Sequence, residues 1–416
     1  MTSDTLAVDL ADPDNFLDDE TPWRMFDALR RTAPVHWNPE SDGGRGFWSL
    51  TRHADVVAVD RDQERFTSEK FVNLEEVDER QAEIRRSLLE TDGPRHNALR
   101  RVLQREFTPR AVAGYATFLR GLTARTLDRA LAHGTFDFVA EVAADFPINV
   151  LARMLDVPDG DTQRLIDWGN RIIANTDPDY ADVLLHSEES ERYRDLPFRS
   201  PASLEVFEYG RELAARRRGG AGTDLVSRLV NQTPMDGVPL SDRDFDNYFL
   251  LLVVAGNETT RHAITHAMRA LIDHPEQAER LREEPELMPV AVEEFLRWAS
   301  PVYHFRRTAT RDTEVGGTAI RAGDKVVLWF ASANRDEDVF ADPYRFDVTR
   351  TPNDHIAFGK GSHFCLGSAL ARLEMRIMFE ELLPRLADVR LAGGIRRVRS
   401  NFVNGIKEMP VTVTLV

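Results

Sequence analysis

Cys365 is the only cysteine in the chain, and it stands in the run Phe358-Gly359-Lys360-Gly361-Ser362-His363-Phe364-Cys365-Leu366-Gly367. A lone cysteine is more often a small buried hydrophobe than a reactive group. Here two alternating glycines precede the thiol and would let backbone N–H groups turn toward the sulfur. A helix expected from about Leu366 to Leu383 would set the thiol at a positive dipole end. A thiolate placed in this way suits a soft axial metal ligand. His363 also invites a cysteine-nucleophile reading, but positions i and i+2 entering a helix do not face one another.

A second group lies inside a long helix expected to be capped by Ser241 and to end at Asp273, before His274-Pro275. It reads Ala255-Gly256-Asn257-Glu258-Thr259-Thr260, residues poor for a helix interior. The apolar run Tyr248 to Val254 ahead of it implies burial, where a carboxylate and a hydroxyl need a reason. The plain structural reason is threonine hydroxyls bonding back to helix carbonyls. His262 and His266, at i and i+4, could share a zinc ion. Ala263 stands where a zinc hydrolase needs Glu, however, so they read as ordinary helix-side histidines. Glu294 and Arg297 form an i, i+3 pair on a helix from Met288, by default worth ~0.2–0.5 kcal/mol. His96 and Arg100 lie one turn apart after Gly93-Pro94 and share a face.

The run around Cys365 resembles the haem-ligand loop of the cytochrome P-450 family, Phe-Gly-x-Gly-x-His-x-Cys-x-Gly, at every fixed position. The helix segment is similar to that family's oxygen-binding motif, Ala-Gly-x-(Asp/Glu)-Thr-Thr. The resemblance implies haem b (iron protoporphyrin IX), with Cys365 as its axial iron ligand. It implies Glu258 and Thr259 as the acid and alcohol that promote O–O cleavage, with Gly256 leaving room for dioxygen. Ala255, Gly256, Phe358, Gly359, His363 and Gly367 would border the haem, and His96, Arg100, Arg307 and His355 would meet its propionates. Glu294 and Arg297 would join Arg345, from Asp342-Pro343-Tyr344-Arg345-Phe346, in a structural triad.

The resemblance further implies a monooxygenase that inserts one atom of dioxygen into an organic substrate, with electrons from NAD(P)H through a ferredoxin reductase and a ferredoxin (2Fe-2S or 3Fe-4S type). The pocket would be lined by Phe71, Val72, Leu74, Val302, Tyr303, Phe402 and Val403. These are mainly apolar, which suits a lipid-, sterol- or terpenoid-like guest. The segments Phe249 to Arg261, Trp298 to Pro301 and Asn334 to Asp336 are especially similar to actinobacterial members that oxidise methyl-branched lipids and sterols. Polyketide or peptide tailoring is the alternative, and a non-catalytic haem-thiolate sensor a more distant one. Arg95, Arg101, Arg105, Lys360, Arg372 and Arg376 would form a basic patch for the ferredoxin.

These residues need a frame, and the chain supplies enough of one. It has 416 residues, 42% hydrophobic and 29% charged, an ordinary globular composition. One cysteine excludes an internal disulfide and cysteine-rich metal sites. A formal charge of −16 argues against nucleic acid as a partner. The first ten residues lack the basic and apolar parts of a secretory signal, and the longest apolar run, Phe249 to Ala255, is too short to span a bilayer. A cytoplasmic monomer is expected. The fold class is mainly α with a smaller β portion: one unit over 1–416, helical over 94–299 and 366–383, β-rich near 30–55, 303–331 and 387–416. The acidic stretch 175–200 reads as a mobile surface connection.

Overall fold

Ser241 starts the element around which the others are arranged. Its hydroxyl accepts the Asp244 N–H at 3.1 Å while the Asp244 carboxylate accepts the Ser241 N–H at 2.9 Å, a reciprocal cap. The helix it opens runs Asp242–Asp273, 32 residues, or about 48 Å. The helices Asp145–Leu155, Thr162–Ile173, Ala202–Arg217, Met288–Ala299 and Ser368–Leu382 all pack against it. That accounts for its burial on almost every face, polar residues included. Leu88, Phe146, Ile264, Phe295 and Val411, far apart in sequence, share one apolar core. The computed structural model describes residues 8–40 and 44–416; part of the N-terminal stretch read above and 41–43 of the first β-rich span lie outside them.

The larger sheet is assembled from distant segments. Its strand order is Val35–Asn38, Phe47–Leu50, Lys325–Trp329, His304–Ala309, Phe66–Thr67. Only the Phe47–Leu50/Lys325–Trp329 pair is parallel. The central strand, Lys-Val-Val-Leu-Trp, is buried throughout, as a near-continuous apolar run should be. Its one charge, Lys325, is held by Glu40 at 2.5 Å and Glu76 at 2.8 Å. A second sheet places Pro410–Leu415 between Thr135–Asp137 and Leu386–Leu391.

The structure departs from the sequence reading in three places. Thr135–Asp137 is a strand inside the span read as helical; three residues are too few to show an alternation. The last helix begins at Ser368, with Gly367 as its cap. The 175–200 stretch is a pinned connection. The Asn175 carboxamide donates to Phe198 O at 2.9 Å, and Asp177, fully buried, takes Lys407 at 2.8 Å and the Arg399 N–H at 2.9 Å. Among the described residues no helix is long and apolar enough to cross a membrane.

Candidate active site

The loop ahead of Cys365 lies against the end of the helix His53–Arg61. Gly359 and Gly361 adopt φ of +68° and +72°, and a Cβ on Gly361 would come 2.9 Å from Asp60 O. The glycines therefore serve that close approach, and the expectation that their amides ring the sulfur is corrected. The Lys360 N–H goes to Asp60 Oδ2 at 2.7 Å and the Cys365 N–H to Phe358 O at 2.9 Å; the amide that reaches the sulfur is that of Gly367. Burial pushes the Cys365 thiol up, against the Gly367 amide, Arg100 and Arg372. The helix end does not by itself make a thiolate here; a coordinated metal does so outright.

On one side of the thiol the Arg372 guanidinium lies 4.6 Å over the Phe358 ring and clasps Glu293 at 2.6 and 2.8 Å. His355 bonds the same Glu293 at 3.0 Å. Its Nδ1 accepts the Ala357 N–H at 3.2 Å, so both ring nitrogens are committed within the Glu293–Arg372 cluster and none is left for a propionate, which corrects its assignment. Those others do converge. The His96 and His363 rings are 4.2 Å apart, and His363 bonds Asp92 at 2.9 Å. Arg100 donates to Phe364 O at 2.6 Å, and Arg307 pairs with buried Asp60 at 2.7 Å. Burial works to raise Asp92, yet bonds from His363, Thr67 and Ser68 hold it at about 2. Burial, with the nearby His363 and Arg100, lowers His96 to about 4.

The long helix presents a different face to the same space. Ala255 is exposed midway along this otherwise buried helix, and Gly256 and Thr259 are half-buried beside it. A Cβ on Gly256 would lie 3.3 Å from the Leu151 side chain, so the glycine also serves close helix packing. Thr259 Oγ1 donates to Ala255 O at 2.9 Å, which leaves its lone pairs for the cavity. Glu258 points elsewhere: it pairs with Arg261, has His262 Nε2 at 3.5 Å and faces Gly169 of the neighbouring helix. Burial works to raise its pKa, but Arg261 and His262 outweigh it and hold the carboxylate below the usual range. The structure thus sets the acid and the alcohol on different helix faces. His266 bonds Asn404 O at 3.0 Å, and no metal-binding group of His, Cys, Asp and Glu occurs among the described residues.

The haem implied by the resemblance can be tested against these side chains, and they fit it. Among the described residues His96 Nδ1 is buried without a partner, and Arg100 bonds only a carbonyl. The first offers a hydrogen-bonding atom and the second an unneutralised charge where two carboxylates would lie. Ala255 and the ring of Phe358 supply apolar surface, and Cys365 supplies the sulfur.

The triad is corrected in one member. Glu294 and Arg297, both wholly buried, pair at 2.7 and 2.8 Å. The second cation on Glu294 is Arg350, at 3.1 Å. Arg345 is exposed and contributes its carbonyl, which accepts from Arg350 at 2.8 Å. A further buried acid was missed altogether: Glu374, 2% exposed, takes a hydrogen bond from the Thr260 hydroxyl and links the cysteine helix to the long helix. Burial raises its pKa well above 4.5, against that bond. The folded state then keeps a proton that the unfolded chain loses above about pH 4.5, so stability falls as pH rises from there. Glu374→Gln is expected to leave the fold intact and to raise the melting temperature at pH 8, with the difference vanishing near pH 4. An equal difference at both pH values would show that Glu374 does not titrate in this way.

Against Ala255 and Thr259 lies a cavity of about 90 Å³. Phe71, Val72, Val302 and Phe402 line it, as the sequence places them. Phe71 is held at φ +86° with the Arg85 guanidinium 4.4 Å over its ring. Three expected lining residues are elsewhere. Leu74 borders an outer, more polar vestibule. Tyr303 packs on Phe16 at 5.0 Å and bonds Asn404 at 2.9 Å; Val403 bridges Val302 from within the core. Adjacent residues of an extended segment face opposite sides, so Val302 and Phe402 exclude their neighbours. Missed were Leu250, Leu251 and Val254, although Leu251 stands one turn (i, i+4) before Ala255 and Leu250 one turn before Val254. Also missed were Leu89, Ile173, Pro197, Phe198 and Phe305.

The expected basic patch is partly neutralised. Arg95 pairs with Asp236 at 3.0 Å, Arg372 with Glu293 and Arg376 with Glu380 at 3.6 Å. Arg101 and Arg105 are exposed and Lys360 half-buried. The segments 105–107 and 109–113 rest on the cysteine helix, so both halves of the patch do meet.

Comparison with known proteins agrees with this geometry. The family model described as Cytochrome P450 matches residues 41–387. A methyl-branched lipid omega-hydroxylase of Mycobacterium tuberculosis is 40% identical over 95% of this chain and 92% of its own. A steroid C26-monooxygenase of Rhodococcus jostii is 37% identical over 97% of this chain and 84% of its own. A solved Mycobacterium marinum cytochrome P450 in complex with pseudoionone superimposes with a TM-score of 0.89 at 38% identity, each chain covered to 99%. With its cysteine loop, helix face and apolar cavity in that arrangement, this chain belongs to the cytochrome P450 family and is a haem-dependent monooxygenase.

Proposed function

We propose that the chain hydroxylates an apolar lipid-, sterol- or terpenoid-like molecule, with electrons delivered from NAD(P)H by a ferredoxin reductase and a ferredoxin. The observation that carries the substrate class is the cavity, apolar along most of its wall and open to Ala255 and Thr259. The named substrates of the two relatives and the guest of the solved neighbour support the same class. Haem held by Cys365 supplies the redox chemistry; the remaining roles belong to the side chains. Thr259 is the hydroxyl turned to the cavity, with its own proton committed to Ala255 O. Glu258 is a charged acceptor that must leave Arg261 before it can pass a proton toward Thr259. His96, Arg100, Arg307 and His363 hold the propionates.

Arg101, Arg105 and Lys360 are the cations we assign to ferredoxin docking, which a rising salt concentration should weaken. The same proposal treats residues 1–416 as one unit, supported by the core shared from Leu88 to Val413, and as a cytoplasmic monomer.

Thr259→Ala is expected to keep NADH consumption within about twofold while product per NADH drops about tenfold and peroxide accumulates, a change of roughly 1.4 kcal/mol in partitioning. Unchanged coupling would remove Thr259 from the proton path. The substrate class is tested by titrating the haem-loaded protein with a lipid, sterol and terpenoid panel. Low-to-high spin conversion by none of them, but by polar peptides or polyketides, sinks that part of the proposal.

A further inference from the structure

The wall of the apolar cavity is polar along one stretch, where Ser87, Glu90 and Asn247 face it. Both amide protons of Asn247 are committed, to Ile84 O at 2.9 Å and to Arg86 O at 3.1 Å. Its Oδ1 is left as a pure acceptor. Glu90 is 6% exposed. One of its oxygens, Oε2, takes the Ser87 N–H at 3.1 Å and the Ser87 hydroxyl at 2.5 Å; among the described residues no side chain bonds the other. Arg85 also lines the cavity; its charge is matched by Glu75, which takes both its Nη atoms at 2.7 Å, and among the described residues only its Nε is without a partner. Burial raises the Glu90 pKa against Ser87 and Arg85, the direction that favours a carboxyl able to donate.

We infer that Glu90 and Asn247 form a hydroxyl-recognition subsite that anchors one end of an elongated apolar alcohol while its other end lies against Thr259. A hydroxyl satisfies both groups, donating to Asn247 Oδ1 and accepting from Glu90. A hydrocarbon leaves both unpaired in an apolar cavity, the situation that most strongly rejects an analogue. A carboxylate would meet the Asn247 oxygen, and the one cation of the wall, Arg85, already has its charge matched by Glu75. Asn247 and Ala255 share the long helix and are separated by about 12 Å along its axis. Oxidation would then fall on a carbon remote from the hydroxyl. The inference rests on the reading of this cavity as the substrate site.

The test uses the haem-loaded protein and three probes: a branched acyclic terpenoid alcohol, its methyl ether and the parent hydrocarbon, each titrated by spin-state conversion. The alcohol is expected to bind at least about tenfold tighter than the hydrocarbon, with the ether between them. Glu90→Leu should erase that preference by weakening the alcohol alone, and Glu90→Gln should retain most of it. Equal binding of alcohol and hydrocarbon by the unaltered protein, or undiminished alcohol binding by Glu90→Leu, overturns the subsite. Absence of spin conversion with all three probes would instead count against the cavity as the substrate site. If Glu90→Leu fails to take up haem, the three probes on the unaltered protein still decide.

Discussion

Cys365→Ser should yield a folded protein whose reduced, carbon monoxide-treated form lacks the strongly red-shifted Soret band of the unaltered chain, and whose product formation falls more than about a hundredfold. The fold should survive because the loop is held by bonds that do not involve sulfur. Asp60 takes the Lys360 amide, Phe358 O takes the Cys365 amide, and Arg372 covers the Phe358 ring. What is lost is the soft, polarisable donor to iron. Circular dichroism and haem content separate loss of fold from loss of ligation. A red-shifted band in the serine variant, or none in the unaltered protein, would mean that Cys365 is not the iron ligand.

Glu294→Ala is expected to cost about 3–5 kcal/mol, enough to prevent recovery of folded protein at 37 °C. Its carboxylate accepts from Arg297 at 2.7 and 2.8 Å, Arg350 at 3.1 Å, Asn353 at 3.2 Å and the Asp347 N–H at 3.0 Å. Its removal strands the charge of Arg297, which has no exposure at all. Arg350→Ala should destabilise by a smaller amount. Arg345→Ala, which removes an exposed side chain and keeps the carbonyl, should lie within about 1 kcal/mol of the unaltered protein. Recovery of folded protein at 37 °C checks Glu294→Ala, and urea denaturation orders the other two; a destabilisation by Arg345→Ala equal to or larger than that by Arg350→Ala would restore Arg345 to the network.

The residues legible in the sequence were those whose role is set by near neighbours in the chain. Ser241 and Asp244 form a cap from four consecutive positions, and the glycines of the cysteine loop mark a turn whatever lies beneath it. Legibility failed where the partner came from elsewhere. Nothing around Arg345 or Arg350 says which of them reaches Glu294, because a turn between the two decides it. Tyr303 and Val403 were misplaced for a simpler reason: a run of apolar residues was assigned wholly to the pocket when an extended segment can offer only alternate ones. Glu374 and Glu90 were invisible because each reads as an ordinary surface acid; only the opposing helix or the cavity wall makes them buried.

The larger sheet carries a consequence for how the chain is made. Ser49 and Trp329, which share a hydrogen bond, are 280 residues apart, and Phe47–Leu50 has no pairing on its inner edge until Lys325–Trp329 arrives. During ribosomal synthesis at about 5–20 residues per second, the early hairpin must wait for tens of seconds with that edge unpaired. Non-local pairing of this kind is slow and prone to misassociation. The helices Asp145–Leu155, Thr162–Ile173, Ala202–Arg217 and Met288–Ala299 all precede Lys325 and can pack on the long helix before that strand emerges, so the sheet closes late. Growth temperature and chaperone supply should accordingly govern how much of this protein is recovered far more than its final stability does.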